Sequence, residues 1–256
     1  DKTTQMDTNV KSFQQFSKSI DPHFLKLRDA MELMSGKKVV FITTSTRWSG
    51  SKEKPKSTQL AEKMSEKLFP SAQIINAANL IVFPCEGNVS TSPENGANHC
   101  GTPGAILKDG EKNPGGFLRC WASLNNPSDE LWKISKAIYE SDVIVFFGSM
   151  RWGSLDSIYK KVLERLTWIE NRHTTLGGEN PVKDKSVGVM IIGQNWNGLE
   201  ELEKQKQILS WFGFQTPDEL FWNWQYTNDF KDESQKSYIE AYDSFEKHLE
   251  QMDYFL

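Results

Sequence analysis

The sequence predicts an α/β fold: a doubly wound, five-stranded parallel sheet with helices on both faces. Three apolar runs carry that prediction, VVFI at 39–42, DVIVFF at 142–147 and SVGVMII at 186–192. Each is short, rich in β-branched or aromatic residues and continuous rather than alternating, as a strand buried on both faces requires. Stretches with apolar residues at helical spacing lie between them. Strands alternating with helices imply parallel pairing, because a parallel connection needs a crossover and the crossover is normally a helix.

In chain order, residues 1–36 are polar with scattered apolar positions such as Phe13, Phe16, Phe24, Leu25, Met31 and Leu33, which predicts a helical extension laid over the core. The main domain is expected at 37–256. Its first strand is 39–42, followed by a polar loop to Lys56 and a helix over 57–68 from the spacing of Leu60, Met64 and Leu68. A second strand is expected at 73–77. Residues 79–127 are dense in Gly, Pro, Asn and Ser and predict an irregular insertion before the third strand. Ser128 and Asp129 are candidate caps for a helix ending near Tyr139. After the strand at 142–147 come a helix over 154–168, the strand at 186–192, a helix over 199–212, a last strand within 216–224 and a closing helix over 234–252.

Composition narrows the function classes. Of 256 residues 38% are hydrophobic and 25% charged, which describes a soluble globule. The formal net charge is −4 with lysine spread along the chain, so no basic footprint for nucleic acid is expected. No apolar run approaches the ~20 residues that cross a bilayer, and the polar start at 1–5 lacks the basic and apolar regions of a signal peptide. No membrane partner is expected. Cys85, Cys100 and Cys120 are an odd count without a C-x-x-C pair, which fits reduced, isolated thiols in a cytoplasmic protein. His99 beside Cys100 permits a three-Cys, one-His zinc site on paper, but without tight ligand pairs no metal is predicted. His23, His173 and His248 have neither metal-ligand spacing nor a nearby thiol.

In open α/β sheets ligands bind outside the carboxyl ends of the strands, so three loops matter most. The first, TTSTRWSG at 43–50, continues to Ser57 and Thr58 at a helix start, where free N–H groups and the helix dipole favour an anion. Hydroxyls of Ser45, Ser57 and Thr58 with the Arg47 guanidinium suit a monophosphate. The loop lacks the Gly-Lys-Ser/Thr ending of a triphosphate loop and the GxGxxG of a dinucleotide fold. The competing reading is that Ser57 merely caps the helix. The second loop, Gly148, Ser149, Met150, Arg151, Trp152, Gly153 and Ser154, combines small residues with a Trp able to cover a planar ring. The third is Gly193, Gln194, Asn195, Trp196, Asn197 and Gly198. One loop Trp is usually packing, but two in equivalent strand-end loops point to a ring-shaped ligand.

The segment DVIVFFGSMRWGSLDSIYKKVLER at 142–165 resembles the flavodoxin-like NAD(P)H-dependent FMN reductases and quinone reductases, a group related to the iron–sulfur flavoproteins. In that family a strand is followed by Pro-x-Tyr-Trp-Gly-Ser, a helix and Lys-x-x-x-Asp-Arg. Trp152, Gly153, Ser154, Lys160 and Arg165 match in place, with Glu164 standing for Asp. The first loop is similar to the family's Gly-Ser-x-Arg phosphate loop through Ser45 and Arg47. Ser149 replaces the Pro, and Arg151 replaces an aromatic residue. The four closely spaced cysteines of the iron–sulfur members are absent from the sequence.

The resemblance implies strand order 2-1-3-4-5 and FMN phosphate at Ser45, Arg47, Ser57 and Thr58. It places the isoalloxazine among Ser149, Met150, Arg151, Trp152, Gly153, Gln194, Asn195, Trp196, Asn197 and Gly198. It further implies NAD(P)H as co-substrate, a small-molecule electron acceptor and a homodimer. Arg151 and Trp152 are the expected catalytic residues, because the flavin itself supplies the redox chemistry and the protein supplies position and charge. The alternative is a flavodoxin-type electron carrier or FMN-binding protein without nicotinamide-dependent activity.

Overall fold

Every residue of β1 (Val39–Thr43) is buried, and its side chains alternate between two cores. Val39 and Phe41 join one cluster, Val40 and Ile42 the other. A computed structural model, describing residues 22–48, 50–88, 98–193 and 197–225, shows the same division along β3 (Val143–Arg151) and β5 (Ser186–Gly193). Val143, Val145, Phe147, Met190 and Ile192 face one way; Ile144, Phe146, Val187, Val189 and Ile191 face the other. This is why these runs are apolar throughout: neither face meets water.

The parallel strands are ordered β2–β1–β3–β5–β6, where β2 is Gln73–Asn76 and β6 is Phe221–Gln225. A short β4 (Ser154–Leu155) pairs antiparallel with the end of β3. Counting only the parallel strands, the order is the predicted 2-1-3-4-5. One face is covered by α1 (Pro22–Met34), through Ala30 and Met34, and by α2 (Lys56–Leu68), through Leu60, Ala61 and Met64. After the short α3 (Trp121–Asn125), the other face is covered by α4 (Leu131–Glu140), α5 (Ser157–Arg165), the one-turn α6 (Thr167–Glu170) and α7 (Gly198–Trp211).

Several sequence expectations are corrected. The strand expected to stop at Phe147 runs on through Arg151, because Met150 and Arg151 pair with Leu155 and Ser154. Ser149, Met150 and Arg151 are therefore strand residues, and the turn is Trp152–Gly153. For the same reason the next helix starts at Ser157, not Ser154, with Asp156 as its cap. Neither Ser128 nor Asp129 caps α4, whose N-cap position is Glu130. Asp129 pairs instead with Arg165, at 2.8 Å.

The three cysteines are free thiols, and two of them, Cys100 and Cys120, are buried. Cys100 and Cys120 lie in the core cluster, and burial, with Cys120 and Cys85 as neighbours, pushes the Cys100 thiol up to about 12. The closing helix expected at 234–252 lies outside the described residues. Among the described residues no helix is long and apolar enough to cross a membrane.

Candidate functional site

The carboxyl ends of β1, β3 and β5 meet at one edge of the sheet, and the chain leaves β1 tied to β3 by the Thr44 N–H on the Phe147 carbonyl, 3.0 Å. Ser45 is 2% exposed and Ser57 1%. The Ser57 hydroxyl donates to Ser45 Oγ at 2.5 Å, and the Ser149 hydroxyl donates to the same oxygen. Three hydroxyls, one just beyond β1, one from β3 and one from α2, thus converge on one point. Pro55 holds the N-cap position of α2 with no side-chain cap, so the reading of Ser57 as a simple cap does not hold. The opening N–H groups of α2 have no intrahelical carbonyl to serve. Beside them Thr58 is 5% exposed, and its Oγ1 is buried without a hydrogen-bond partner. An orphaned buried hydroxyl costs free energy unless something outside the chain satisfies it.

Charge is supplied from the loop and from the first residue of α2. Arg47 Nη2 lies 3.6 Å from Glu53 Oε2, and Lys56 Nζ lies 3.3 Å from Glu53 Oε1. Lys56 is 7% exposed, and sequence reasoning missed it as a site residue.

Asp156 joins the first two loops. One carboxylate oxygen accepts from Thr44 Oγ1 at 2.9 Å and from the Ser149 N–H at 3.0 Å. The other caps α5 by accepting from the Tyr159 N–H at 3.0 Å. Such tight registry explains Gly148, where a Cβ would sit 2.5 Å from Leu155 Cδ2, and Gly193, where it would sit 3.0 Å from the Met150 backbone nitrogen. Met150 is 3% exposed, so what it offers a ligand is its backbone.

Trp152 (φ 52°) and Asn197 (φ 71°) are the two non-glycine residues with left-handed backbone among those described. They are neighbours: the Asn197 side-chain amide donates to the Gly153 carbonyl at 2.9 Å. Left-handed backbone at a Trp is a strained choice, and strain persists where the surroundings hold it. Part of that support is Glu201, 0% exposed, whose Oε1 accepts from the Leu155 N–H at 3.2 Å and from Gln205 Nε2 at 3.0 Å. Trp152 itself is 86% exposed at the rim. Arg151 is exposed beside it, reaching the Thr46 carbonyl at 3.4 Å.

Of the residues expected at the site, Ser45, Arg47, Ser57, Thr58, Ser149, Met150, Arg151, Trp152, Gly153, Asn197 and Gly198 all lie at or beside this sheet edge. Gln194, Asn195 and Trp196 fall outside the described residues. Sequence reasoning missed Thr44, Glu53, Lys56, Asp156 and Glu201. Asp156 carried a usable signal, since an Asp just before an amphipathic run is a standard cap. Among the described residues no group of three or more His, Cys, Asp or Glu is placed to hold a metal ion.

No family model matches the chain, and no curated protein does. Solved structures do. The chain superimposes on RosB with bound 8-demethyl-8-formylriboflavin-5'-phosphate at a TM-score of 0.52 and 12% identity, covering 85% of this chain and 77% of that one. An azoreductase from Bacillus anthracis matches at a TM-score of 0.50 and 13% identity, over 84% of this chain and 98% of that one. The fold is flavodoxin-like. In an open α/β sheet ligands bind outside the carboxyl ends of the strands, and the hydroxyl cluster and the strained turn lie at those ends here.

Proposed function

We propose that the protein is an FMN-dependent NAD(P)H oxidoreductase that passes electrons to a flavin, quinone or similar small acceptor. The observation that supports it most is the phosphate cradle: three convergent hydroxyls, the orphaned Thr58 Oγ1 and two cations, Arg47 in the loop and Lys56 at the start of α2. FMN carries one terminal phosphate, and a donor set without a triphosphate loop suits it. The two solved relatives lend support in kind, one being described with a riboflavin phosphate derivative and the other as an azoreductase.

Bound FMN would accept a hydride equivalent from a nicotinamide and pass electrons on, chemistry that belongs to the cofactor. The chain's own residues do the rest. Ser45, Ser57, Thr58 and Arg47 hold the phosphate, with Ser149 reaching the same cluster. The backbone of Met150–Gly153 and of Asn197–Gly198 would border the ring. Trp152 shields one face from water, and Arg151 places positive charge where a reduced, anionic ring gains negative charge. The exposed Trp48 and Trp152 at the rim fit a homodimer in which a second copy borders the ring.

Titrating the flavin-free protein with FMN, FAD and riboflavin tests this reading. FMN should bind at least tenfold more tightly than riboflavin, because the phosphate contacts are charge-assisted, each worth about 1.5–3 kcal/mol. Equal affinity for FMN and riboflavin, or affinity for neither, contradicts it.

A further inference from the structure

We propose that Lys56 is a second phosphate-binding cation and that Glu53 is a built-in competitor, a carboxylate that holds Arg47 and Lys56 until the phosphate displaces it. The inference rests on the flavin phosphate site described above and goes beyond it in naming a cation and an internal anion.

The geometry is that of an anion site with a carboxylate in it. Glu53 offers one oxygen to each cation, Oε2 to Arg47 at 3.6 Å and Oε1 to Lys56 at 3.3 Å. Along the chain Arg47 follows Ser45 by two residues and Lys56 immediately precedes Ser57, so the two cations bracket the segment that joins these members of the hydroxyl cluster. A phosphate meeting the cluster would meet the same two cations, so phosphate and carboxylate compete for one set of donors. Two differences decide which wins. The Glu53 side chain is 47% exposed, and an ion pair in that position is weak and surrendered at little cost. Lys56, by contrast, is 7% exposed, so its attraction to a dianionic phosphate is screened by solvent less than that of a surface lysine. The Thr58 Oγ1, one residue beyond Ser57, has no hydrogen-bond partner, Glu53 included, and is a further hydroxyl left unused at this helix start.

A carboxylate that organised the site would have to be retained on binding, and its removal would weaken the ligand. A competitor predicts the opposite sign. Glu53→Gln keeps the shape and removes the charge. Affinities for FMN, riboflavin and inorganic phosphate are measured by calorimetry on wild type, Glu53→Gln, Lys56→Gln and Lys56→Arg, with melting temperatures alongside. Glu53→Gln should tighten FMN and phosphate about three- to tenfold and leave riboflavin unmoved. Lys56→Gln should weaken FMN and phosphate about tenfold or more, again sparing riboflavin, while Lys56→Arg retains most of the affinity. Unchanged or weakened FMN and phosphate binding in Glu53→Gln overturns the inference while leaving the flavin reading in place. Tighter phosphate in Glu53→Gln with no flavin bound by any form supports the inference and removes the flavin reading. Failure of every form to bind phosphate or FMN removes both.

Discussion

Asn197 and Gly153 belong to different strand-end loops, and the Asn197 amide donates to the Gly153 carbonyl at 2.9 Å, tying the turn after β3 to the start of α7. Asn197 has a left-handed backbone, which glycine adopts freely and alanine does not. Asn197→Gly therefore removes the tether without adding strain. It should weaken FMN about three- to tenfold, the range of one neutral hydrogen bond, with little change in thermal stability. Asn197→Ala should weaken binding similarly and also lower the melting temperature. Equilibrium flavin titration and calorimetry separate the two effects.

Arg151 and Trp152 are adjacent at the rim and should fail in different ways. Arg151→Ala should lower the midpoint potential of the bound flavin by about 10–20 mV, an exposed charge being screened by solvent, and should change affinity little. Trp152→Ala should loosen FMN about three- to tenfold through lost stacking area, with the potential moved less. Potentiometry and binding titration on both variants check this. An unmoved potential in Arg151→Ala would assign the arginine to solvent or substrate.

Arg165 is fully buried against Asp129, with both guanidinium ends on the carboxylate at 2.8 and 2.9 Å and further bonds to the Phe83 carbonyl and Ser123 Oγ. Burial, the largest single influence, lowers its pKa, yet Asp129 and Cys120 together outweigh burial and raise it. The pair fastens the segments around 83 and 121–125 to α5. Arg165→Ala leaves the Asp129 charge buried without its partner and should cost about 3–5 kcal/mol in urea denaturation. Hydrogen exchange should quicken first in residues 98–125.

The Cys100 thiol titrates at about 12 when folded, against 9.0 for an ordinary thiol, raised by burial and then by Cys120 and Cys85. Below pH 9 folded and unfolded chains both keep this proton, and the thiol adds no pH dependence. Between pH 9 and about 12 the unfolded chain loses it first, so stability falls as pH rises. Cys100→Ala should flatten that alkaline loss, measured as the denaturation midpoint at pH 8 and pH 10.5.

The parts of the fold that were legible in the sequence are those buried on both faces. β1, β3 and β5 read as continuous apolar runs because no side of them is wet, and the hydroxyls of Ser45 and Ser57 were found because a strand end and a helix start fix their place. The end of β3 was not legible. Gly148 and Ser149 look like turn residues, yet both lie within β3, where the missing side chain of Gly148 leaves room for Leu155. Asp129 beside a helical run reads as a cap, and nothing local announces a partner 36 residues away. Glu201 and Lys56 look like ordinary solvent-facing helix residues, since burial of a charge depends on what the rest of the chain brings to it.

Anaerobic mixing of the FMN-loaded protein with NADH and with NADPH, followed by visible absorbance, tests the central claim most directly. The flavin band should bleach with at least one nicotinamide, far faster than free FMN under the same conditions, and return when a quinone is added. A band that persists with both nicotinamides but bleaches with dithionite would contradict the reductase and leave an electron carrier.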